Sequence, residues 1–438
     1  MHLKRIIFGA LLLPVLAMLT TSCEFDAQTD PNGPSINSVL SDASVAELNL
    51  LVTGIEARMR NGYNTFVFAT GTIARELYIF DADPRNTEDL LGKDDLVLDN
   101  NTFYLTAPFA TRYRVVKNCN VLLEALDNTD AVSAAEKDGY RGFANTVKGL
   151  MLSQVLAMLG DNGVRVDVAD PNNLGAFLAP AVAYREILNL MDDGASQLSG
   201  STFTFALSSG FDGFNTPTTM IELNRALAAR IAIQAGLYQE ALDYVNASFF
   251  DIMGDLTTGP KHVFSTGAGD ILNPVFKAPG QSGDQIIVHP RMTDDGLTGD
   301  ARLSKFALRV NPTSQDGLNS DYETALYASA TSPIDIIRNE ELMLIYAEAS
   351  MQTNSLDNAV DGINAVRNGN GLGDYMGAST VEALTDELLF QRRYSLWCEG
   401  HHMFDLRRYN RLNDTFLPID RPGDDVFTQF PIPLSEGV

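Results

Sequence analysis

Two segments of this 438-residue chain repeat one helical hairpin, which commits it to building with packed helix pairs. In the first, Leu223, Leu227 and Ile231 fall at i, i+4 and i+8. A turn follows at Gly236, and Ala241, Leu242 and Val245 resume on a second helix. In the second, Leu342, Ile345, Tyr346 and Ala349 fall at i, i+3, i+4 and i+7. After a turn at Asn354-Ser355 come Ala359, Ile363 and Val366. Residues at these spacings lie on one face of a helix. Leu237 to Ala241 aligns with Ser355 to Ala359 at the turn, and Asn246 aligns with Asn364. The shared alanine lets the two helices of a pair approach closely.

Helix-start signals recur elsewhere. Ser44/Glu47, Ser133/Glu136 and Ser379/Glu382 have capping-box spacing, in which serine accepts from an orphan N–H and glutamate reaches back. Helix pairs with small residues at the crossing resemble tetratricopeptide stacking, but the period is too irregular for a long solenoid. Between Asp251 and Pro333 the helical period vanishes among turn residues. A structureless loop of that length is unusual in a compact domain, so the segment reads as a loop-rich subdomain with short strands such as Gln285 to Val288. The stretch from Tyr63 to Tyr104 is similarly aromatic, polar and weakly periodic. The expected fold is therefore mainly α, a tetratricopeptide-like helix-pair scaffold with a loop-rich subdomain carrying short strands. Ligands tend to meet such loops on a rigid scaffold.

The N-terminus reads as an address. Lys4 and Arg5 precede an apolar stretch from Ile6 to Leu19 that ends in Thr20-Thr21-Ser22-Cys23. A span needs about 20 apolar residues, and this stretch is shorter, with the flanks of a signal peptide. Its end resembles a bacterial lipoprotein box with Cys23 as the lipidated residue, although Thr20 stands where leucine is usual; an ordinary secretory signal is the alternative. Residues 1–22 are thus expected to be a signal peptide and 23–40 a polar tether, with Pro31, Gly33 and Pro34 in it. A single domain then covers 41–438, with the loop-rich insertion around 251–333.

Composition narrows the function. The chain has 31 basic and 56 acidic residues, and its formal charge of −25 repels phosphate backbones. Nucleic acid is not an expected partner. Three cysteines are too few for a disulfide framework; Cys119 and Cys398 read as buried thiols, with a bridge between them left open. Glu399, His401, His402 and Asp405 suggest a metal site, but adjacent histidines on a helix point about 100° apart. A buried Arg/Glu/Asp network is the preferred reading, and Trp397 reads as core. Gly369-x-Gly371-x-Gly373 follows a helix where dinucleotide binding needs a strand. Asp294-Asp295-Gly296 with Asp300 lacks the glutamate of an EF-hand and reads as an acidic turn. No catalytic constellation, metal site or cofactor is expected.

One run of landmarks resembles a known family. Arg338-Asn339-Glu340-Glu341-Leu342 on to Tyr346-Ala347-Glu348-Ala349 is similar to its "R-x-x-E-x-x-L-x-Y-A-E-A" helix, and Ile363-Asn364-Ala365-Val366-Arg367 to the "N-x-V-R" that follows. Arg392-Arg393, Glu399-Gly400-His401 and Phe404-Asp405-Leu406-Arg407-Arg408 resemble its C-terminal signature, and Pro431-Ile432-Pro433 the terminal "P-I-P". These are landmarks of the SusD/RagB-like outer-membrane lipoproteins. Gln391 departs from the usual glutamate, and His402 sits near an expected arginine.

The resemblance implies that Arg338, Glu341, Arg367, Arg393, Glu399, Gly400, Asp405 and Arg408 carry the fold. It also implies a non-enzymatic surface protein of the outer membrane, held by its lipid. Such a protein captures an oligosaccharide or peptide and passes it to a SusC-like TonB-dependent barrel. Sugar recognition uses aromatic faces with polar partners, which makes Tyr63, Phe66, Arg75, Tyr78, Phe80, Asp81, Tyr322 and Tyr327 the candidate contacts. The competing expectation is a helical-repeat adaptor lipoprotein that binds a protein and no small ligand.

Overall fold

The computed structural model describes residues 36–437. The expected signal peptide, Cys23 and the first part of the tether lie outside the described residues. The described part holds thirteen α-helices and six strands, and no described helix is long and apolar enough to cross a membrane. The first helix, α1 (Ile36–Asp42), begins inside the stretch expected to be tether.

Helices α2 (Val45–Met59), α3 (Tyr63–Ile73), α4 (Phe103–Asp127), α5 (Ala134–Leu159), α6 (Pro180–Leu198), α7 (Pro217–Gln234) and α8 (Tyr238–Asn246) form the first part of the scaffold. From α4 onward each packs on the next. The second part follows the loop-rich segment: α10 (Asn339–Gln352), α11 (Leu356–Gly369), α12 (Val381–Ser395) and α13 (His402–Arg408). Both sequence hairpins are present, as α7–α8 turning at Gly236 and α10–α11 turning at Asn354, and α10 packs against α8 to join them. Their apolar stripes are buried at Leu223, Leu227, Ile231, Leu342, Ile345 and Ile363. The close approach within the second pair rests on Gly362, where a Cβ would lie 3.0 Å from both Ala347 Cβ and the Met343 carbonyl.

The Ser44/Glu47 and Ser133/Glu136 capping boxes form as expected. The third does not. Thr380, and not Ser379, caps α12, its hydroxyl accepting from Ala383 N–H. Two adjacent hydroxyl residues offered a cap, and the helix starts after the second.

The loop-rich segment does carry strands, and more sheet than Gln285 to Val288. Strands β1 (Leu77–Asp81), β3 (Asp284–Val288), β4 (Phe306–Gln315) and β5 (Leu318–Thr324) form an antiparallel sheet in the order β1-β3-β5-β4. Strands β2 (Lys261–His262) and β6 (Ile334–Asp335) form a second, two-stranded sheet, and a short α9 (Pro290–Asp294) follows β3. β4 and β5 meet at Asp316-Gly317, both with positive φ, the Asp-Gly chemistry of a tight hairpin. Likewise, Tyr63 to Tyr104 is no continuous loop: it opens with α3 and passes through β1 and three 3₁₀ turns.

The C-terminal signature is buried and ionic. Arg338 pairs with Glu340 at 2.9 Å and Glu399 at 2.7 Å, Arg392 with Asp405 at 2.6 Å, and Arg408 with Glu348 at 2.8 Å and Asp405 at 3.0 Å. Arg230 holds Glu341, Arg367 holds Glu387, and Arg393 reaches Asp295. Burial opposes charge on Glu340 and Asp405, yet the neighbouring arginines hold both carboxyls down at about 2. Asp300 of the acidic turn is clamped by Arg302. Trp397 is fully buried against Phe306, its Nε1–H donating to the Glu76 carbonyl at 3.1 Å. Cys119 and Cys398 are both buried free thiols.

Candidate functional site

An open cleft of about 560 Å³ lies where α3, β1, the start of α4 and the loop leading into β3 meet. Its apolar walls are Phe68, Ile79 and Phe103; its polar lining includes Asn64, Thr65, Asp81, Asn86 and Lys277. Phe103 is half-buried at the first turn of α4, with the Arg85 guanidinium 4.9 Å from its ring centre. Lys277 Nζ stands 5.9 Å from the Phe68 ring and is paired with Asp284.

The polar groups divide into held and free. Asp81 accepts from the Asn86 amide and from the Asp83 N–H, both at 2.9 Å, so its carboxylate is fixed in direction. Asn64 and Thr65, half-buried on the cleft-facing side of α3, make no side-chain hydrogen bond among the described residues. A flat aromatic edge beside an oriented carboxylate and unspent amide and hydroxyl groups suits a polyhydroxylated ligand with C–H faces. The volume lies within the roughly 300–1,000 Å³ of small-ligand sites.

Of the eight candidate contacts, only Asp81 lines this cleft. Side chains alternate across a strand, so Ile79 and Asp81 face the cleft while Tyr78 and Phe80 turn to the opposite side of β1. There they stack at 5.8 Å within a small buried cluster with Leu91, Ile287 and Leu318. Arg75 is fully buried, with φ of 55°. Its guanidinium donates to the Ile73 and Asp425 carbonyls and lies 3.3 Å from Asp420, tying the C-terminal segment to the α3–β1 turn. Contrary to expectation, Arg75, Tyr78 and Phe80 are buried and offer no open face to a ligand.

Tyr63 and Phe66 sit on the other side of α3. They line a nearly filled cavity of about 40 Å³ with His262, Arg230, Glu399, Gly400 and His401. Gly400, with φ of 78°, is required there, since a Cβ would come within 2.5 Å of the Phe66 ring. Burial pushes His262 down to about 3 and His401 to about 4, so both rings are neutral near pH 7. Tyr322, on β5 opposite Leu308, and Tyr327 are half-buried, and neither lines the cleft.

Sequence reasoning missed Phe68, Phe103, Asn64 and Lys277. Phe103 follows Thr102, which occupies the N-cap position of α4 without bonding through its side chain, so no capping box announced it. Lys277 is brought in by the antiparallel pairing of β3 with β1, which no local pattern encodes.

Residues 311–433 match the SusD family model. Over that segment the chain is similar to the SusD family. The surrounding fold is SusD-like as well. Surface glycan-binding protein A from Bacteroides thetaiotaomicron, solved with laminarihexaose, aligns with a TM-score of 0.72 at 15% identity over 90% of this chain and 97% of that one. A SusD superfamily protein from Bacteroides vulgatus aligns with a TM-score of 0.67 at 18% identity over 89% and 96%. A SusD-like carbohydrate binding protein from the same species gives 0.64 at 15% identity over 85% and 82%. In addition, 153 residues are 28% identical to the major capsid protein of Serratia phage KSP90, where the chain spans about a third of that protein's length. The SusD-like alignments run along most of the chain and account for its fold.

Proposed function

We propose that this protein is a non-enzymatic, cell-surface glycan-binding protein that captures oligosaccharides in the α3/β1/α4 cleft. The observation that carries the reading is the cleft's chemistry: Phe103 and Phe68 beside the held Asp81 and the unspent Asn64 and Thr65. The SusD-like fold and the glycan-bound neighbour support it. In this reading Cys23 carries a lipid that holds the protein at the outer membrane. The captured glycan, or a peptide in its place, passes to a SusC-like TonB-dependent barrel. Removing one aromatic face should cost about tenfold in affinity, or about 1.4 kcal/mol. A panel of neutral oligosaccharides that includes laminarihexaose, titrated calorimetrically, tests the binding. Phe103→Ala should weaken the best ligand about tenfold while the circular dichroism spectrum of the folded protein is kept; binding that survives Phe103→Ala and Asn64→Ala together sinks the assignment to this cleft. Purification of the lipidated protein from native outer membranes tests delivery, and recovery without a stoichiometric barrel would favour the adaptor reading.

A further inference from the structure

A second open cleft, about 540 Å³, lies away from the first, between the C-terminal end of α5, the N-terminus of α6 and the segment that follows α13. Its centre is Arg407. That guanidinium donates to the Ala157 carbonyl at 2.7 Å and the Thr428 carbonyl at 3.1 Å, and its plane covers the Phe404 ring at 5.3 Å. Among the described residues it forms no ion pair with a carboxylate, in contrast to the neighbouring Arg408 with its two acidic partners. Room for it is made at Gly160, where a Cβ would lie 3.0 Å from Arg407 Nη1.

Three further features converge on the same space. Tyr184 is 8% exposed and lines the cleft, and its hydroxyl has no hydrogen-bond partner among the described residues. The side-chain amides of Gln234 and Asn410 line it too, and neither is hydrogen-bonded within the described residues. A guanidinium held by two carbonyls, with no ion-paired carboxylate among the described residues, is arranged for a carboxylate. The free hydroxyl and amides over an aromatic floor are arranged for sugar hydroxyls and ring C–H groups.

We propose that this cleft is a second binding site, for a sugar acid: one carboxylate on Arg407, with the hydroxyls on Tyr184, Gln234 and Asn410. The chain's negative charge opposes any anion, but charges beyond about 10 Å are largely screened at 0.1 M salt. The local guanidinium therefore decides. Asp161, exposed at the rim, attracts Arg407 without forming an ion pair with it and competes with the ligand's carboxylate. The inference does not depend on the reading of the first cleft.

Galacturonate, with neutral galactose as its counterpart, is the probe, titrated into the intact protein and followed by hydrogen–deuterium exchange. The acid should bind at least tenfold tighter than the neutral sugar and protect residues 156–161 and 404–413. Arg407→Gln should weaken the acid more than tenfold and erase its advantage over the neutral sugar. That variant also loses two carbonyl contacts, so Tyr184→Phe, which removes only an unpartnered hydroxyl, is the companion. It should weaken binding about threefold without moving the melting temperature. Equal binding of acid and neutral sugar overturns the proposal. So does protection confined to residues 64–86, or affinity unchanged in both variants.

Discussion

At the residue scale the most instructive group is Glu76. Both carboxylate oxygens are buried without a hydrogen-bond partner among the described residues, while its backbone carbonyl accepts from Trp397. Burial pushes its carboxyl well above the ordinary carboxylate range, so the folded chain keeps a proton that the unfolded chain gives up. A carboxyl raised in the folded state lowers stability as pH rises above its unfolded value of about 4.3. Glu76→Gln should therefore stabilise the protein, with a gain that grows between pH 5 and pH 8 by at most about 1.4 kcal/mol per pH unit. Urea unfolding at both pH values checks this; a gain that is flat or shrinks with pH contradicts it. The signature arginines show the opposite case. Arg338 is buried between two carboxylates, where removing one partner of such a group typically costs about 3–5 kcal/mol. The family-like landmarks thus hold the fold, and the candidate ligand contacts lie elsewhere.

At the element scale, helix pairs were legible because their information is local. A hydrophobic stripe, a turn glycine and a capping serine lie within one hairpin. The start of α12 shows the resolution of such signals. Ser379 has capping-box spacing with Glu382, but Thr380 makes the bond. Thr380→Ala should cost about 1 kcal/mol, whereas Ser379→Ala should leave stability within about 0.5 kcal/mol, as measured by denaturant midpoints at constant slope. Equal effects would mean the two hydroxyls share the cap. The sheet was less legible, since β1 and β3 are separated by helices α4 to α8 and only pairing makes them neighbours. Asp316-Gly317 was the one local hairpin signal for β4 and β5. Strand parity then decided the site: reading Tyr78, Phe80 and Asp81 as one patch requires them to share a face, and a strand gives adjacent residues opposite faces.

At the scale of the whole molecule, the C-terminal segment, β sheet and helical blocks are joined by buried charge. Glu340, Glu341 and Asp405 are all held at about 2 despite burial, by Arg338, Arg230 and Arg392 respectively. A carboxyl lowered in the folded state contributes stability above its unfolded value of about 4 and loses it as pH falls toward 2. Stability should therefore fall steeply between pH 4.5 and pH 2.5, and the melting temperature should track it; a flat profile across that window would mean the network contributes little. His262, pushed down by burial, adds to the loss below pH 6.5, because the unfolded chain binds a proton there that the folded one does not. By itself the sequence determined the helical class, the hairpins, most caps and the charged signature, because each is written in neighbours a few residues apart. Only the tertiary structure decided which aromatics face solvent, that Arg75 is a buried clamp, and that Phe68, Phe103, Lys277 and Asp81 share a cleft. Those outcomes depend on strand pairing and on contacts between residues hundreds of positions apart, and no local period records them.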